Sequence, residues 1–280
     1  MDQFEGKVAV VTGAASGIGR AMTDAFVAKG MKVVMADIES EALEKAAQEV
    51  RGDGGDVFAV TADVSKAVDV DRIAEAAVDV FGGLHVACNN AGVATGGLTW
   101  EIDEDSWTWI LGVNLWGVIH GVRSFTPRII DSGGGHIVNT ASMAGLTSPP
   151  GMSAYNVTKH AVVTMSETMS VELEMTHPEV GVSVLCPGWV RTQIHNSTRN
   201  RSGWVEPEPD EAHPLGAMKD MLDELIAGGI EPSDVAALVV DAIATRRFYV
   251  LTHPEWQEMV RQRVDRMLDG QNPQVIIPGN

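Results

Sequence analysis

The feature that most constrains the fold is a regular alternation between short apolar runs and longer segments with apolar residues at helical spacing. Seven runs rich in β-branched residues have the length of strands that are buried on both faces. These are Lys7–Val11, Lys32–Ala36, Val57–Thr61, His85–Cys88, His136–Asn139, Gly181–Leu185 and Phe248–Val250. The pattern predicts parallel strands joined by right-handed crossovers. We therefore expect an α/β fold with a doubly wound, seven-stranded, mostly parallel sheet and helices on both faces.

Apolar residues recur at helical spacing between these runs. They do so also in two regions that do not follow the regular alternation of strands and helices. The predicted crossover helices are Ile18–Lys29, Ser40–Val50, Lys66–Phe81, Asp103–Ile130, Ser153–Thr176 and Ser233–Thr245. Residues 192–229 have a proline- and charge-rich centre, which predicts a substrate lid with a mobile middle and a short helix around Met218–Ala227. Residues 252–280 predict a tail with one amphipathic helix, roughly Pro254–Leu268. With 280 residues, we expect one large domain spanning 1–280.

Composition excludes several functional classes. With 20 Lys and Arg against 38 Asp and Glu, the net charge is −18, which repels nucleic-acid phosphates and anionic lipid. Two cysteines, Cys88 and Cys186, cannot form a disulfide framework or a Cys-based zinc site, so no metal is expected. The sequence shows no secretory signal and no apolar run of membrane-spanning length. We expect a cytoplasmic protein with no nucleic-acid or membrane partner.

A glycine-rich turn follows the first predicted strand, with the sequence Thr12-Gly13-Ala14-Ala15-Ser16-Gly17-Ile18-Gly19. Glycines let the backbone approach a pyrophosphate closely, and the next helix points its first amides and its positive dipole at the phosphates. Asp37 ends the second strand, 20 residues after Gly17. A carboxylate there can accept hydrogen bonds from the adenosine ribose hydroxyls and would repel a 2′-phosphate. The turn and Asp37 together predict a dinucleotide site that prefers NAD to NADP.

A second constellation consists of Tyr155, Lys159 and Ser142. Tyr155 and Lys159 lie four residues apart at the start of a predicted helix, so both project from one face. A nearby ammonium favours the phenolate and lowers the tyrosine pKa, which would allow proton exchange with an alcohol or carbonyl oxygen near neutral pH. Ser142 follows the fifth strand, 13 residues before Tyr155, where its hydroxyl can donate to a substrate oxygen. An isolated Tyr-x-x-x-Lys pair is more often an ordinary helical tyrosine beside a solvated lysine.

The glycine spacing, T-G-x-x-x-G-x-G, resembles that of the short-chain dehydrogenase/reductase family. The resemblance continues, in the family's order, through Asp63-Val64, Asn89-Asn90-Ala91-Gly92, Asn114, Ser142, Tyr155-x-x-x-Lys159 and Pro187-Gly188. It spans Thr12 to Thr192, about two-thirds of the chain. It implies a Rossmann-like fold of three layers and an NAD(P)-dependent oxidoreductase that acts on CH-OH groups. It also implies a homotetramer or homodimer that pairs the long helices around Asp103–Ile130 and Ser153–Thr176.

The resemblance implies catalytic roles for Asn114, Ser142, Tyr155 and Lys159. Tyr155 would be the general acid/base between a secondary alcohol and its ketone, and Ser142 would stabilise the oxygen. Lys159 would lower the Tyr155 pKa, bind the nicotinamide ribose and pass the proton through a water held by Asn114. The cofactor contacts that it implies are Gly13, Ser16, Gly17, Ile18, Gly19, Asp37, Asp63, Val64, Asn90, Gly92, Tyr155, Lys159, Pro187, Gly188, Val190 and Thr192.

The substrate end is less defined by the sequence. Methionine and tryptophan suggest an adaptable apolar pocket for a small alcohol or ketone; the candidates are Met143, Met152, Trp189, His195, Trp204, Met218 and Met221. One alternative is a 3-oxoacyl-thioester reductase, whose acidic carrier would need a basic patch. That patch could come from Arg199, Arg201, Arg246 and Arg247. Another alternative is a catalytically silent dinucleotide-binding regulator, whose signature would be the loss of Tyr155, Lys159 or Ser142.

Overall fold

A seven-stranded parallel sheet forms the centre of the computed structural model, which describes residues 4–201, 203, 215 and 218–275. Its order is β3-β2-β1-β4-β5-β6-β7 and all of its pairs are parallel. The strands are β1 Val8–Thr12, β2 Lys32–Asp37, β3 Val57–Thr61, β4 Val86–Asn89, β5 Gly135–Thr140, β6 Val180–Cys186 and β7 Tyr249–Leu251. The predicted doubly wound sheet is confirmed, and each predicted strand is found with its ends shifted by one residue or none.

Helices cover both faces of the sheet. They are α1 Gly17–Ala28, α2 Ser40–Gly52, α3 Ala67–Phe81, α4 Glu104–Leu111, α5 Gly117–Asp131, α6 Ser153–Thr176, α7 Met218–Ala227, α8 Pro232–Thr245 and α9 Gln257–Leu268. Alternate residues of β1 face opposite layers: Ala9 and Val11 pack with α1, α2 and α8, whereas Val8 and Val10 pack with α3, α5 and α6. Because both faces are covered, the β1 strand Val8–Thr12 is buried throughout and therefore reads as a continuous apolar run.

The predicted helix Asp103–Ile130 is not continuous. Asp103 caps α4 by accepting a hydrogen bond from the Ser106 amide at 2.6 Å, and a π-helical turn at Gly112–Trp116 separates α4 from α5. A helix interrupted in this way places one extra residue in a turn, a feature common at functional sites. Asn114 lies inside the π turn and is fully buried. The interruption therefore sets the position of this predicted site residue.

The lid and the tail are described in part. After β6, residues Ile194–Asn200 form 3₁₀ turns, and α7 occupies the predicted Met218–Ala227, while most of the centre of the lid lies outside the described residues. The predicted tail helix begins as a 3₁₀ turn at Pro254–Trp256 and continues as α9. Within the ranges described, no helix has the length and apolar character needed to cross a membrane.

Candidate active site

A cleft of about 1320 Å³ lies along the carboxyl edge of the sheet. The turns that follow parallel strands meet at this edge, where open α/β sheets bind their ligands. Three of the four predicted catalytic residues line it, namely Ser142, Tyr155 and Lys159. The predicted cofactor contacts that line it are Gly13, Ser16, Gly17, Ile18, Asp37, Asp63, Val64, Asn90, Gly92, Tyr155, Lys159, Pro187, Gly188, Val190 and Thr192. The other two predicted residues, Gly19 and Asn114, are buried and do not line the cleft.

The glycine-rich turn leaves no room for side chains at its tightest points. Gly13 and Gly17 have φ values of +68° and +54°, a region that side chains disfavour. A Cβ on Gly19 would lie 2.0 Å from the Gly13 carbonyl oxygen. Gly19 therefore lets α1 pack closely against the turn, and its contact with the cofactor stays a prediction. The Ser16 side chain does not cap α1, so the first amides of the helix lack that partner and suit a phosphate.

Asp37 connects the end of β2 to the glycine-rich turn. Its carboxylate accepts hydrogen bonds from the Ala15 amide at 3.0 Å and the Glu39 amide at 3.1 Å. Burial raises the pKa of Asp37, and the two amide hydrogen bonds oppose this shift. The carboxylate lines the cleft beside the turn. The residues at this end therefore fit a dinucleotide. The glycine backbone and the helix amides can hold its phosphates, and the Asp37 carboxylate can accept hydrogen bonds from its ribose hydroxyls.

The sequence did not reveal that Thr12 joins two turns of the cleft. Its hydroxyl accepts hydrogen bonds from the amides of Asn90 at 2.9 Å and Ala91 at 3.0 Å, and donates to the Cys88 carbonyl at 3.2 Å. The Asn90 side chain in turn donates to the Thr12 carbonyl at 3.0 Å. The sequence feature that could have indicated this role is that a polar residue, Thr12, ends an otherwise apolar strand. These bonds hold the turn after β1 against the turn after β4.

Asp63 and Val64 lie at the cleft wall after β3, as predicted. The Asp63 carboxylate accepts hydrogen bonds from the Ser65 amide at 3.0 Å and its hydroxyl at 2.7 Å, a local turn. The Val64 carbonyl lies 3.0 Å from Nδ1 of His120. This turn is therefore fixed before any ligand binds, and the adenine-flanking role of the two residues stays a prediction.

Asn114 braces the loop after β4. Its amide side chain accepts a hydrogen bond from the Val93 amide at 2.8 Å and donates to the Val93 carbonyl at 2.9 Å. It also donates to the Thr158 hydroxyl on α6 at 3.3 Å. Three protein bonds thus join the π turn, the β4 loop and the helix that carries Tyr155. The water relay implied by the family stays a prediction.

Ser142, Tyr155 and Lys159 come together at the centre of the cleft. The Ser142 hydroxyl acts to lower the pKa of Tyr155, and the Lys159 ammonium lies 5.5 Å from the centre of the Tyr155 ring. That ammonium donates to the Thr140 carbonyl at 2.9 Å, at the end of β5. Tyr155 and Lys159 expose only 8% and 2% of their surfaces. A buried phenol beside an amine, in a cleft that also carries a serine hydroxyl, can position a substrate oxygen and exchange a proton with it.

The Tyr155 pKa moves in the direction opposite to the one predicted from the Lys159 spacing. Burial raises it to about 12, and the hydrogen bond with Ser142 only partly opposes this shift. Burial also lowers the Lys159 pKa to about 8. The reason is that desolvation disfavours the charged forms of both groups. In the protein alone, Tyr155 is therefore a protonated phenol at neutral pH.

The Pro187-Gly188 turn is held by the tail, which the sequence did not reveal. The Gly188 amide donates to the Thr252 hydroxyl at 3.0 Å. A Cβ on Gly188 would lie 2.6 Å from Nδ1 of His253. On its other side the Pro187 carbonyl accepts a long hydrogen bond of 3.4 Å from the Ser142 hydroxyl. The tail thus fixes the turn that lies behind Ser142.

Long apolar side chains also line the cleft, and its use as an apolar substrate pocket stays a prediction. Trp189 packs edge-on against Trp256 of the tail, with ring centres 5.7 Å apart. Of the predicted pocket residues, Met143, Met152, Trp189, His195 and Met221 line the cleft. Trp204 and the side chain of Met218 lie outside the described residues. Trp109, Trp256 and Met259 also line the cleft and were not predicted. Among the described residues, no cluster of three His, Cys, Asp or Glu side chains could hold a metal ion.

The fold and the site define an oxidoreductase that binds a dinucleotide at the carboxyl edge of a doubly wound sheet. A family model described as short chain dehydrogenase matches residues 7–203, which is more than half of the chain. The CLA biosynthesis dehydrogenase/reductase of Lactiplantibacillus plantarum is 34% identical over 283 residues, covering 99% of this chain and 98% of the relative. The chain therefore belongs to the short-chain dehydrogenase family.

Two further similarities agree with this assignment. A 1-deoxy-11-beta-hydroxypentalenate dehydrogenase of Streptomyces exfoliatus is 35% identical over 262 residues, covering 92% of this chain and 87% of the relative. The crystal structure of a short chain dehydrogenase/reductase from Burkholderia phymatum in complex with NAD is similar, with a TM-score of 0.94 and 43% identity. That similarity covers 99% of both chains.

Proposed function

We propose that this protein is an NAD(H)-dependent oxidoreductase that interconverts a secondary alcohol and a ketone, with Tyr155 as the general acid/base. The observation that carries the proposal is the buried Tyr155 phenol, which lines the same cleft as Ser142 and lies beside the Lys159 ammonium. A bound nicotinamide cofactor would donate or accept the hydride. The protein's own contribution would be to hold the substrate oxygen and to move its proton.

Each side chain has a distinct task in this proposal. The Tyr155 phenol, protonated at neutral pH because its pKa is about 12, is in the form that donates a proton to a ketone oxygen during reduction. The Ser142 hydroxyl accepts a hydrogen bond from the Ala144 amide at 3.1 Å and donates only a long one, of 3.4 Å, to the Pro187 carbonyl. Its proton can therefore turn to a substrate oxygen and stabilise the charge that develops there. In the oxidation direction, the Lys159 ammonium favours the phenolate that accepts the alcohol proton.

The NAD preference rests on the Asp37 end of the cleft. The wall there carries the carboxylates of Asp37 and Glu39. The Asp37 carboxylate would repel a 2′-phosphate and can accept hydrogen bonds from ribose hydroxyls, whereas Glu39 is paired with Arg199. The NAD in the similar Burkholderia phymatum structure agrees with this preference.

The substrate that we propose is a small, apolar alcohol or ketone. The cleft that holds Tyr155 is also lined by long apolar side chains from the lid and the tail, including Trp189, Met221, Trp256 and Met259. Such walls bind apolar ligands by burying their surface and adapt their shape through methionine. The Streptomyces exfoliatus relative is named for a hydroxylated substrate, which fits oxidation at a CH-OH group.

The two alternatives are less well supported. The four arginines that could recruit an acidic carrier do not form one patch: Arg199 lines the cleft and pairs with Glu39, whereas Arg246 and Arg247 precede β7, at the amino edge of the sheet. Arg247 is also paired with Asp241 at 2.9 Å. A silent regulator would not require Ser142, Tyr155 and Lys159 together in the cleft.

We also propose that the protein forms a homodimer or homotetramer through α5 and α6. The outer face of α6 exposes Val157, Val171 and Met175, and the π turn before α5 exposes Trp116. Burying such apolar surface against a second copy would be favourable. Light scattering should give a mass of at least twice the 29.9 kDa of one chain. A single-chain mass would contradict this proposal.

The proposed function is tested by replacing each of the chain's two tyrosines. Tyr155→Phe removes the phenol and should lower turnover of secondary alcohols with NAD⁺ by about 10³-fold, the scale of general acid–base catalysis. Its affinity for NADH, measured by fluorescence titration, should change little. The matched control is Tyr249→Phe, because Tyr249 is 45% exposed and donates to Glu167. Tyr249→Phe should keep full activity, and an active Tyr155→Phe protein would overturn the mechanism.

A further inference from the structure

The lid segment 194–201, here called the strap, lines the cleft and is hydrogen-bonded to two other parts of the structure around it. The Ser197 hydroxyl accepts a hydrogen bond from the Ala94 amide at 2.8 Å, in the loop after β4. Arg201 donates to the Ser106 hydroxyl on α4 at 2.8 Å. These bonds attach the strap to the substrate side of the cleft.

A different set of bonds attaches the strap to the adenosine side. The carboxylate of Glu39 accepts a hydrogen bond from the Arg199 guanidinium at 2.6 Å and from the Asn200 amide at 2.8 Å. Glu39 lies two residues after Asp37, and all four side chains line the cleft. This contact joins residues 160 positions apart in the chain. It therefore spans the cleft at the end that suits a ribose.

The contact is preorganised and charged. Arg199 also donates to the carbonyls of Gln193 at 3.2 Å and Asn196 at 2.7 Å, which fixes its guanidinium towards Glu39. Burial acts to raise the pKa of Glu39, but the hydrogen bonds from Asn200 and Arg199 outweigh it and lower that pKa. Glu39 is therefore a carboxylate at neutral pH, and the pair is fully ionised.

Fold stability does not account for this arrangement. Arg199 and Glu39 expose 33% and 30% of their side chains, and ion pairs of this kind contribute only about 0–1 kcal/mol to stability. The contact joins the strap to the turn after β2. A ligand held between these two segments would have to break the contact to leave, so the contact would add to the barrier for dissociation.

We propose that Glu39, Arg199 and Asn200 form a clasp that retains bound NAD(H) and sets the rate at which it leaves. This inference rests on the proposed function, which assigns the cleft to a nicotinamide dinucleotide. The three residues are positioning residues for the cofactor and take no part in proton transfer. Replacing any of the three should make NAD(H) dissociate faster and leave the fold unchanged.

The test is a stopped-flow displacement experiment on the full chain, in which protein loaded with NADH is mixed with excess NAD⁺ and the NADH fluorescence is followed. Glu39→Gln and Arg199→Met should each raise the dissociation rate constant about tenfold. The double variant should be no faster than the faster single variant, because both changes break one contact. Thermal unfolding midpoints without cofactor should stay within about 2 °C of the wild type.

Arg191→Met is the matched control. Arg191 lies at the base of the same lid, pairs with Glu231 and donates to the Ala227 carbonyl at 2.9 Å, but it does not line the cleft. Its dissociation rate constant should stay within about twofold of the wild type. Wild-type rates in Glu39→Gln and Arg199→Met, or additive effects in the double variant, would overturn the clasp alone. A wild-type chain that binds no NADH would overturn the proposed function and the clasp with it.

Discussion

At the dinucleotide end of the cleft the wall is backbone and short polar side chains, whereas at the substrate end it is long apolar side chains. The first wall comes from turns after β1, β2 and β4, tied together by Thr12 and Asp37. The second comes from the lid and the tail, with Trp189 and Trp256 in contact. A backbone wall has one arrangement that fits its ligand. A wall of methionine and tryptophan side chains can adapt its shape to several ligands.

This difference predicts how each end responds to substitution. Adding one carbon atom at the dinucleotide end meets backbone that cannot move without breaking several hydrogen bonds. Removing a whole ring at the substrate end leaves neighbours that can repack. The substitutions below test this contrast, from the largest expected effect to the smallest.

Gly19→Ala should have the largest effect. The added Cβ would lie 2.0 Å from the Gly13 carbonyl oxygen, so the turn or α1 must shift. We expect a loss of about 2–3 kcal/mol in the free energy of unfolding, measured with urea. Because the turn itself is displaced, NADH affinity should fall by about 100-fold or more, a loss of about 2.7 kcal/mol.

Gly52→Ala is the control for Gly19→Ala. Gly52 is the last residue of α2, and an added Cβ there meets nothing within 4 Å. This change should be neutral or stabilise the protein by up to about 1 kcal/mol, because alanine has less unfolded-state entropy. If Gly19→Ala bound NADH like the wild type, the rigid description of the dinucleotide end would be wrong.

Asp37→Ser should change cofactor selection with a moderate effect. Serine keeps one hydroxyl acceptor in place of the two carboxylate oxygens that serve the Ala15 and Glu39 amides, and it removes the charge that would repel a 2′-phosphate. The ratio of NADPH to NADH dissociation constants, measured by fluorescence titration, should fall about tenfold, or about 1.4 kcal/mol. Asp53→Ser, at the exposed end of α2, should leave the ratio unchanged. An unchanged ratio in Asp37→Ser would place the discrimination elsewhere.

The dinucleotide end was also the part that sequence reasoning described best. Its determinants are local: the glycine spacing, the strand before it and Asp37 follow one another within 26 residues, Thr12 to Asp37. Hydrophobic periodicity likewise predicted every strand of the sheet, because strands buried on both faces are continuous apolar runs. The π turn at Gly112–Trp116 could not be located from the apolar pattern, because a π turn leaves that pattern nearly intact.

What the sequence could not show depends on contacts between distant residues. Spacing places Lys159 near Tyr155, but the direction of the Tyr155 pKa shift follows from burial, which only tertiary packing determines. The bond from Gly188 to Thr252 joins residues 64 positions apart, and nothing in either local pattern indicates the other. The substrate wall was predicted as apolar in character, yet Trp256 was missed because it comes from the tail.

Trp256→Ala should have the smallest effect, and it should be confined to the substrate end. Trp256 is half-buried between Trp189 and His253 and lines the cleft. Its removal should raise the KM of an apolar secondary alcohol by about fivefold, or about 1 kcal/mol, because the neighbouring side chains refill only part of the space. The NADH dissociation constant should stay within about twofold. Trp100→Ala is the control, since Trp100 is 79% exposed and does not line the cleft. A larger effect of Trp256→Ala on NADH than on the alcohol would show that the two ends are coupled through the Pro187-Gly188 turn, which the tail also holds.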